Sequence, residues 1–212
     1  MKIIEVKNLA IKGCKVIKYQ RFDDERGFFA ESYRKNDFDT HSDTTDLRNK
    51  NFTQMNESFS KAGTIRGLHF QWNPFMAKLV RCISGRMIDL LLDIRVDSPT
   101  YGKIIAYDTR NSFSHNTGEW VYAPVGIAHG VFLPEDTLIE YFCTGQWNPD
   151  CETGISPLAN DISWDLCDTE VFELLHKTIN SGKLIIKDKD KNGHSLGSWS
   201  KLSESKLFKF EA

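Results

Sequence analysis

Short apolar runs, alternating or continuous and cut by turn residues, make up most of the chain. "CKVIKYQRF" (14–22) alternates in part and ends at the charged turn "DDERG", and "GFFAESY" (27–33) reads as the next strand. "KLVRCISGRMIDLLLDIR" (78–95) reads as two strands broken at Ser84-Gly85, the pattern of a hairpin. After the turn "DSPTYG", "KIIAYDTR" is another strand and "NSFSHNTG" a loop. "EWVYAPVGIAHGVFLPED" is apolar but punctuated by Pro124, Gly126, Gly130 and Pro134, and "TLIEYFCTGQW" closes the series. Many short strands with regular turns predict an all-β sandwich or barrel.

Two segments break the strand pattern. "FDTHSDTTDLRNKNF" (38–52) is polar and reads as irregular or partly helical. "DTEVFELLHKTINSG" (168–182) predicts the best helix of the chain. Asp168 is its N-cap, Val171, Leu174 and Leu175 share one face, and Gly182 follows its end. The stretch beyond Asp190 is polar and weakly periodic, so the expected organisation is one β domain over 1–190 and a C-terminal appendage over 191–212.

With 212 residues the chain is long enough for one ordinary domain and its core. Apolar and charged fractions of 40% and 26% are those of a globular protein. A net charge of −2 does not supply the field of a general nucleic-acid binder, but it leaves room for a local basic pocket. The 5 cysteines form no C-x-x-C pair and read as free thiols of a reducing compartment. The N-terminal stretch, broken by Lys2, Glu5, Lys7 and Asn8, has no signal-peptide core, and no apolar run is long enough for a membrane span. A cytoplasmic location is the expectation.

Of 6 histidines, His41, His115 and His194 lie in polar loops and His176 in the expected helix. The two that carry a pattern are His69, which follows Gly63 by six positions in "GTIRGLHFQ", and His129. Gly118, Pro124, Gly126 and His129 form G-x5-P-x-G-x2-H, which resembles the second cupin motif. The first cupin motif has a second histidine two positions after the first, with a glutamate soon after; here Phe70 and Gln71 follow His69. An open metal site generally takes at least three protein ligands, and only two stand at matching positions, so no metal is expected.

Taken together, "DDERGFFAESY", "QMNESFSKAGTIRGLHFQ", "KLVRCISGRMIDLLLDIRVDSPTYGK", "VYAPVGIAHGVFL", "EYFCTGQWNPDCETGI" and "ISW" resemble the dTDP-4-dehydrorhamnose 3,5-epimerase family, metal-free cupins of deoxysugar nucleotide biosynthesis. The resemblance implies a jelly-roll β-barrel with a few short helices, no cofactor, a nucleotide-diphosphate 4-keto sugar as substrate, and a homodimer. Its chemistry suits the residues. In a 4-keto sugar the C–H bonds at C3 and C5 are both acidic, because each carbanion is delocalised into the same carbonyl. The enzyme needs a base on one face, an acid on the other, and a cation or donor near O4.

By the resemblance, His69 is the general base, and imidazole is the side chain suited to proton abstraction near neutral pH. Its carboxylate partner is Asp190 in "IIKDKDKNG", with Asp188 as the other candidate. Tyr141 matches the general acid, and Lys78 the cation at O4. Arg66 and Arg26 match diphosphate contacts, where a guanidinium gives paired, charge-assisted bonds. Glu31, Gln54, Asn56, Ser58 and His129 match residues that orient sugar or nucleotide, Glu152 and Lys189 match further substrate contacts, and Trp147 matches a stacking aromatic. Arg26 and Glu31 fall in the N-terminal region that crosses to the partner subunit in the family. The competing readings are a C3-only epimerase, a sugar 3,4-ketoisomerase, a non-catalytic sugar-nucleotide binding module and a metal-dependent cupin. The bland reading of each residue, a core tyrosine, a strand-edge lysine or a solvated charge run, applies wherever the framework is set aside.

Overall fold

The structure, a computed structural model, describes residues 1–110 and 116–211. The loop histidine His115 lies outside them. The chain opens with β1 (Ile3–Asn8) and β2 (Lys15–Gln20), then a small ribbon of β3 (Phe22–Asp24) and β4 (Gly27–Phe29), and the short helix α1 (Lys35–Thr40). Next come β5 (Gln54–Ser60), β6 (Thr64–Gln71), β7 (Lys78–Ser84), β8 (Arg86–Asp93) and β9 (Ile104–Arg110). The barrel is completed by β10 (Thr117–Ala123), β11 (Ile127–Leu133), β12 (Thr137–Cys143) and β13 (Glu152–Gly154). Four elements cross the remaining sequence in helical form: α2 (Thr169–Asn180), α3 (Asp188–Lys191), α4 (Leu196–Trp199) and a 3₁₀ turn over Ser203–Leu207.

Two antiparallel sheets face each other, in the orders β1-β2-β10-β7-β12-β5 and β13-β6-β11-β8-β9, and form a jelly roll. The expected hairpin at Ser84-Gly85 is instead a corner. β7 pairs with β10 and β12, whereas β8 pairs with β11 and β9, so the chain leaves one sheet for the other there. Gly85 has φ +88°, and a Cβ on it would stand 2.5 Å from the Asp136 carbonyl oxygen, so the corner demands glycine. "GFFAESY" pairs only over Gly27–Phe29, in a ribbon with β3 whose residues are exposed. With neither face covered, the ribbon gains little from burial, and its extension as a strand has no packing to support it.

β8 shows why its sequence is nearly continuous in apolar residues: it is buried on both faces. Ile88, Leu90 and Leu92 point away from the barrel interior into the core that also holds Val171 and Leu175 of α2. The alternate positions Met87 and Leu91 pack between the sheets. α2 starts where expected, with the Asp168 side chain accepting from the Glu170 N–H, and Gly182 follows its end at φ +71°. The segment after Asp190 is packed rather than appended. Leu196, Trp199 and Phe208 belong to the same core as β6, β8 and β11, and Val96 exchanges backbone bonds with Phe208 and Phe210. The polar composition hid this, because three large apolar side chains suffice to dock a short segment. The outer face of the other sheet is covered by Phe38 of α1 and by Leu47. The polar stretch 38–52 is thus partly helical, as its composition suggested.

Removing the Trp199 side chain empties the place where α4 meets Phe70 and Phe208. Trp199→Ala is expected to cost about 3–5 kcal/mol, read as a lower midpoint in urea with the slope unchanged. An exposed appendage would show almost no change.

Candidate active site

A cavity of 760 Å³ opens between the sheets, walled by β5, β7 and β12 on one side and β6 and β11 on the other. Its size is that of a small-molecule site. Twelve of the residues singled out in the sequence reach it. Period-two alternation puts Gln54, Asn56 and Ser58 on the inward face of β5, and Lys78 enters from the start of β7. Tyr141 comes from β12, directly opposite Asn56 in the strand ladder. Arg66 and His69 come from β6 and His129 from β11, while Trp147, Glu152, Lys189 and Asp190 close the rim.

The central contact is between His69 Nε2 and Asp190 Oδ1, at 2.7 Å. The other oxygen of Asp190 accepts from the Gly67 N–H at 3.3 Å, so the carboxylate is fixed by both strand and ring. Asp190, in α3, is only 4% exposed at its side chain, while Asp188, which opens the same turn, is exposed. Of the two aspartates, Asp190 is the one that contacts His69. Burial opposes ionisation of Asp190, but the hydrogen bond and charge of His69 outweigh it and hold the carboxyl below the usual aspartate range. An ionised carboxylate only accepts, so the nitrogen it binds carries hydrogen and Nδ1 of the neutral imidazole is the free base.

Glycine positions make this wall possible. His69 and His129 are register partners, and the β6–β11 ladder slips between His129 and Val131. A Cβ on Gly67 would lie 2.5 Å from Gly130 Cα, and one on Gly130 would lie 2.6 Å from the Arg66 carbonyl oxygen. The two strands approach too closely there for any side chain.

On the facing wall, burial pushes the Tyr141 phenol above its usual range, with Cys143 adding to the shift and Arg66 opposing it. Burial likewise pulls the Lys78 ammonium below the ordinary lysine range, against the pull of Cys143 and Glu152. Arg66 is oriented by Ser60 Oγ at 2.8 Å and the Phe59 carbonyl at 3.3 Å. Gln54 accepts from the Trp147 N–H at 2.8 Å and so holds the backbone of a side chain that is 57% exposed at the mouth. Gln71 fills the place where a metal-binding cupin has its second histidine. It is buried and ties together the Pro74 and Gln146 carbonyls and the Asn148 N–H, while Phe70 turns outward into the core. Among the described residues no cluster of three or more His, Cys, Asp or Glu has metal-binding geometry.

Two expected residues are elsewhere. Arg26 sits on the exposed turn between β3 and β4, bonded to Asp24, and Glu31 accepts from the N-terminal ammonium and pairs with Arg34. Neither lines the cavity of its own chain. The structure also adds residues that the sequence did not single out. Cys143 and Ile139 flank Tyr141 on the same face at two-residue spacing, a signal that alternation alone contained. Ile185, Ile186 and Lys187 line the cavity because residues 183–187 lie against β6, with Ile185 bonded to Gly63 and Ile65. Nothing local marked them. Asp89 was legible as a charge within the apolar run of β8; it is fully buried and its Oδ1 is 2.6 Å from His129 Nε2, a contact without conventional hydrogen-bond geometry.

Comparison with known proteins agrees with this architecture. The chain is 38% identical over 151 residues to the dTDP-4-dehydrorhamnose 3,5-epimerase of Sinorhizobium fredii, covering 70% of this chain and 73% of that one. It is 32% identical over 200 residues to the enzyme of the same name from Methanothermobacter thermautotrophicus, covering 94% and 95%. The crystal structure of dTDP-6-deoxy-D-glucose-3,5-epimerase from Legionella pneumophila, in complex with dTDP-4-keto-L-rhamnose, superposes with a TM-score of 0.76 at 27% identity, over 98% of this chain and 99% of that one. The family model for dTDP-4-dehydrorhamnose 3,5-epimerase matches residues 8–198, and the chain belongs to that family.

Proposed function

We propose that the protein inverts C3 and C5 of a nucleotide-linked 4-keto-6-deoxysugar, dTDP-4-dehydro-6-deoxyglucose or a close relative, in the supply of deoxysugar precursors. The observation that carries this is the 2.7 Å bond from the buried Asp190 to His69 in a cavity whose opposite wall holds Tyr141 and Lys78. His69 Nδ1 takes the proton α to the carbonyl, and the Asp190 carboxylate stabilises the imidazolium that forms. The electron pair moves onto O4, where Lys78 supplies positive charge as the enolate develops. Tyr141 delivers a proton to the opposite face, inverting the carbon. The same ketone activates the second carbon, so no redox cofactor is called for.

Arg66, held by Ser60 and the Phe59 carbonyl, suits the diphosphate, and Trp147 the nucleobase. Arg26 is exposed on a projecting ribbon with Phe22, Phe28 and Phe29 also exposed, which suits an arm reaching into a second copy of the chain. We assign it, with Glu31, to the partner's site in a homodimer. Among the described residues no helix is long and apolar enough to cross a membrane, and the proposed activity is that of a cytoplasmic enzyme.

Incubation with dTDP-4-keto-6-deoxyglucose in D2O, followed by NMR, tests the reading. Deuterium at both C3 and C5 is expected. Deuterium at C3 alone would narrow the activity to one carbon, and no exchange above control with any 4-keto nucleotide sugar would refute it. His69→Ala is expected to lower exchange by about 10²–10⁴-fold with the circular dichroism spectrum unchanged.

The pH profile of kcat/KM reports the free enzyme. Since Lys78 is held below the ordinary lysine range and Tyr141 above its own, the alkaline fall in kcat/KM belongs to loss of the Lys78 charge. The fall is expected to begin below about pH 10.4, the value of an unperturbed lysine, and to be absent from the residual activity of Lys78→Met. A profile flat through that pH would remove Lys78 from its role.

A further inference from the structure

A second cavity, of 280 Å³, lies on the other flank of the His69–Asp190 pair. It shares His69, Glu152, Lys189 and Asp190 with the large cavity, and its far side is formed by Asn192 and His194. The flank of the ring is kept open by Gly154: a Cβ there would stand 3.1 Å from His69 Cδ2 and 2.8 Å from the Leu68 carbonyl oxygen. Glu152 spans the junction. Its Oε1 is 4.0 Å from His69 Nδ1, and its Oε2 is 3.9 Å from the ammonium of Lys189, whose side chain is 60% exposed.

The proposed reaction makes a demand on His69 between its two inversions. When the first carbon is inverted, its C–H bond breaks and the proton goes to His69 Nδ1, the electron pair passing into the enolate. A new C–H bond forms on the opposite face with the proton of Tyr141. The pair is left as imidazolium and phenolate, each in the wrong state for the second carbon. Before the same imidazole can act again it must lose its proton, and the phenolate must gain one. His69 lines both cavities, whereas Tyr141 lines only the large one, where the sugar nucleotide would lie.

Resting on that reading of the function, we propose that Glu152 and the second cavity carry the proton from His69 to solvent while the substrate stays bound, so that one imidazole serves two carbons in one binding event. The imidazolium N–H bond breaks, and the proton passes to Glu152 Oε1 and on to water; the phenolate of Tyr141, which lines only the large cavity, regains a proton from solvent through the mouth of that cavity, so charge and mass balance. The 4.0 Å gap is too long for a direct hydrogen bond and suits a bridging water or a small swing of the carboxylate. A cavity of 280 Å³ that Glu152, Lys189, Asp190, Asn192 and His194 help to line has room for several waters, each needing only about 10–15 Å³ by this measure. Glu152 acts here through His69, as a relay, in addition to any contact it makes with substrate.

The test compares the intact enzyme with Glu152→Gln and Glu152→Asp in D2O, by NMR and mass spectrometry of both recovered substrate and product. In the intact enzyme, His69 exchanges its proton and returns deuterium to the original face, so recovered substrate becomes labelled and doubly inverted product dominates. In Glu152→Gln, label in recovered substrate relative to the first inversion is expected to fall about tenfold or more, and singly inverted sugar accumulates. Glu152→Asp restores part of both. A Gln variant with both ratios unchanged, whatever its overall rate, overturns the relay alone. An intact enzyme that exchanges neither carbon sinks the relay together with the epimerase reading.

Discussion

The hydrogen bond between Asp190 and His69 is the constraint on which the rest of the site depends. It joins residues 121 positions apart, and it exists only because the chain that follows the barrel returns to it. Residues 183–187 lie against β6, α3 turns Asp190 inward behind His69, and α4 with Phe208 seals the core beneath. The returning segment is therefore part of the active-site wall. Its anchoring in the core converts packing energy into the fixed orientation of one imidazole.

That bond also divides the electrostatic labour. A negative charge behind the ring makes an imidazolium acceptable in a half-buried site, and the facing wall carries the opposite arrangement. Lys78 and Arg66 supply positive charge where an enolate oxygen and an anionic ligand would lie, and Tyr141 is kept protonated by its burial. The two walls come from different sheets. On the proposed reading, the jelly roll thus places base and acid on different sheets across one cavity, which is what inversion at a carbon requires. Where a metal-binding cupin has its second histidine, Gln71 ties down the loop that carries Trp147, so a ligand position has become a strut.

Much of this was legible in the sequence, and the exceptions have physical reasons. Period-two alternation and glycine-marked turns exposed the strands, and the capping of α2 by Asp168 was readable because it is local. The pairing of β7 and β8 was misread at Ser84-Gly85, since a glycine corner between sheets and a hairpin turn look alike in a single chain. The role of the final segment was hidden because Leu196, Trp199 and Phe208 are spaced too irregularly to form a periodic pattern. In the site, the strand residues His69, Tyr141, Lys78 and Arg66 line one cavity. Asp190 could be separated from Asp188 only by seeing which one the turn of α3 buries. Ile185 to Lys187 had no local signature at all, and Arg26 and Glu31 stand outside the cavity of their own chain.

On this reading a buried carboxylate fixes the protonation pattern of His69 and leaves one nitrogen free as the base. Nitrogen-15 NMR of histidine-labelled protein, with His69 assigned from His69→Ala, measures this directly. In the neutral imidazole, a protonated Nε2 in a strong hydrogen bond that Asp190→Asn perturbs, and a bare Nδ1, are expected. A neutral ring protonated at Nδ1, or one indifferent to Asp190→Asn, would contradict it.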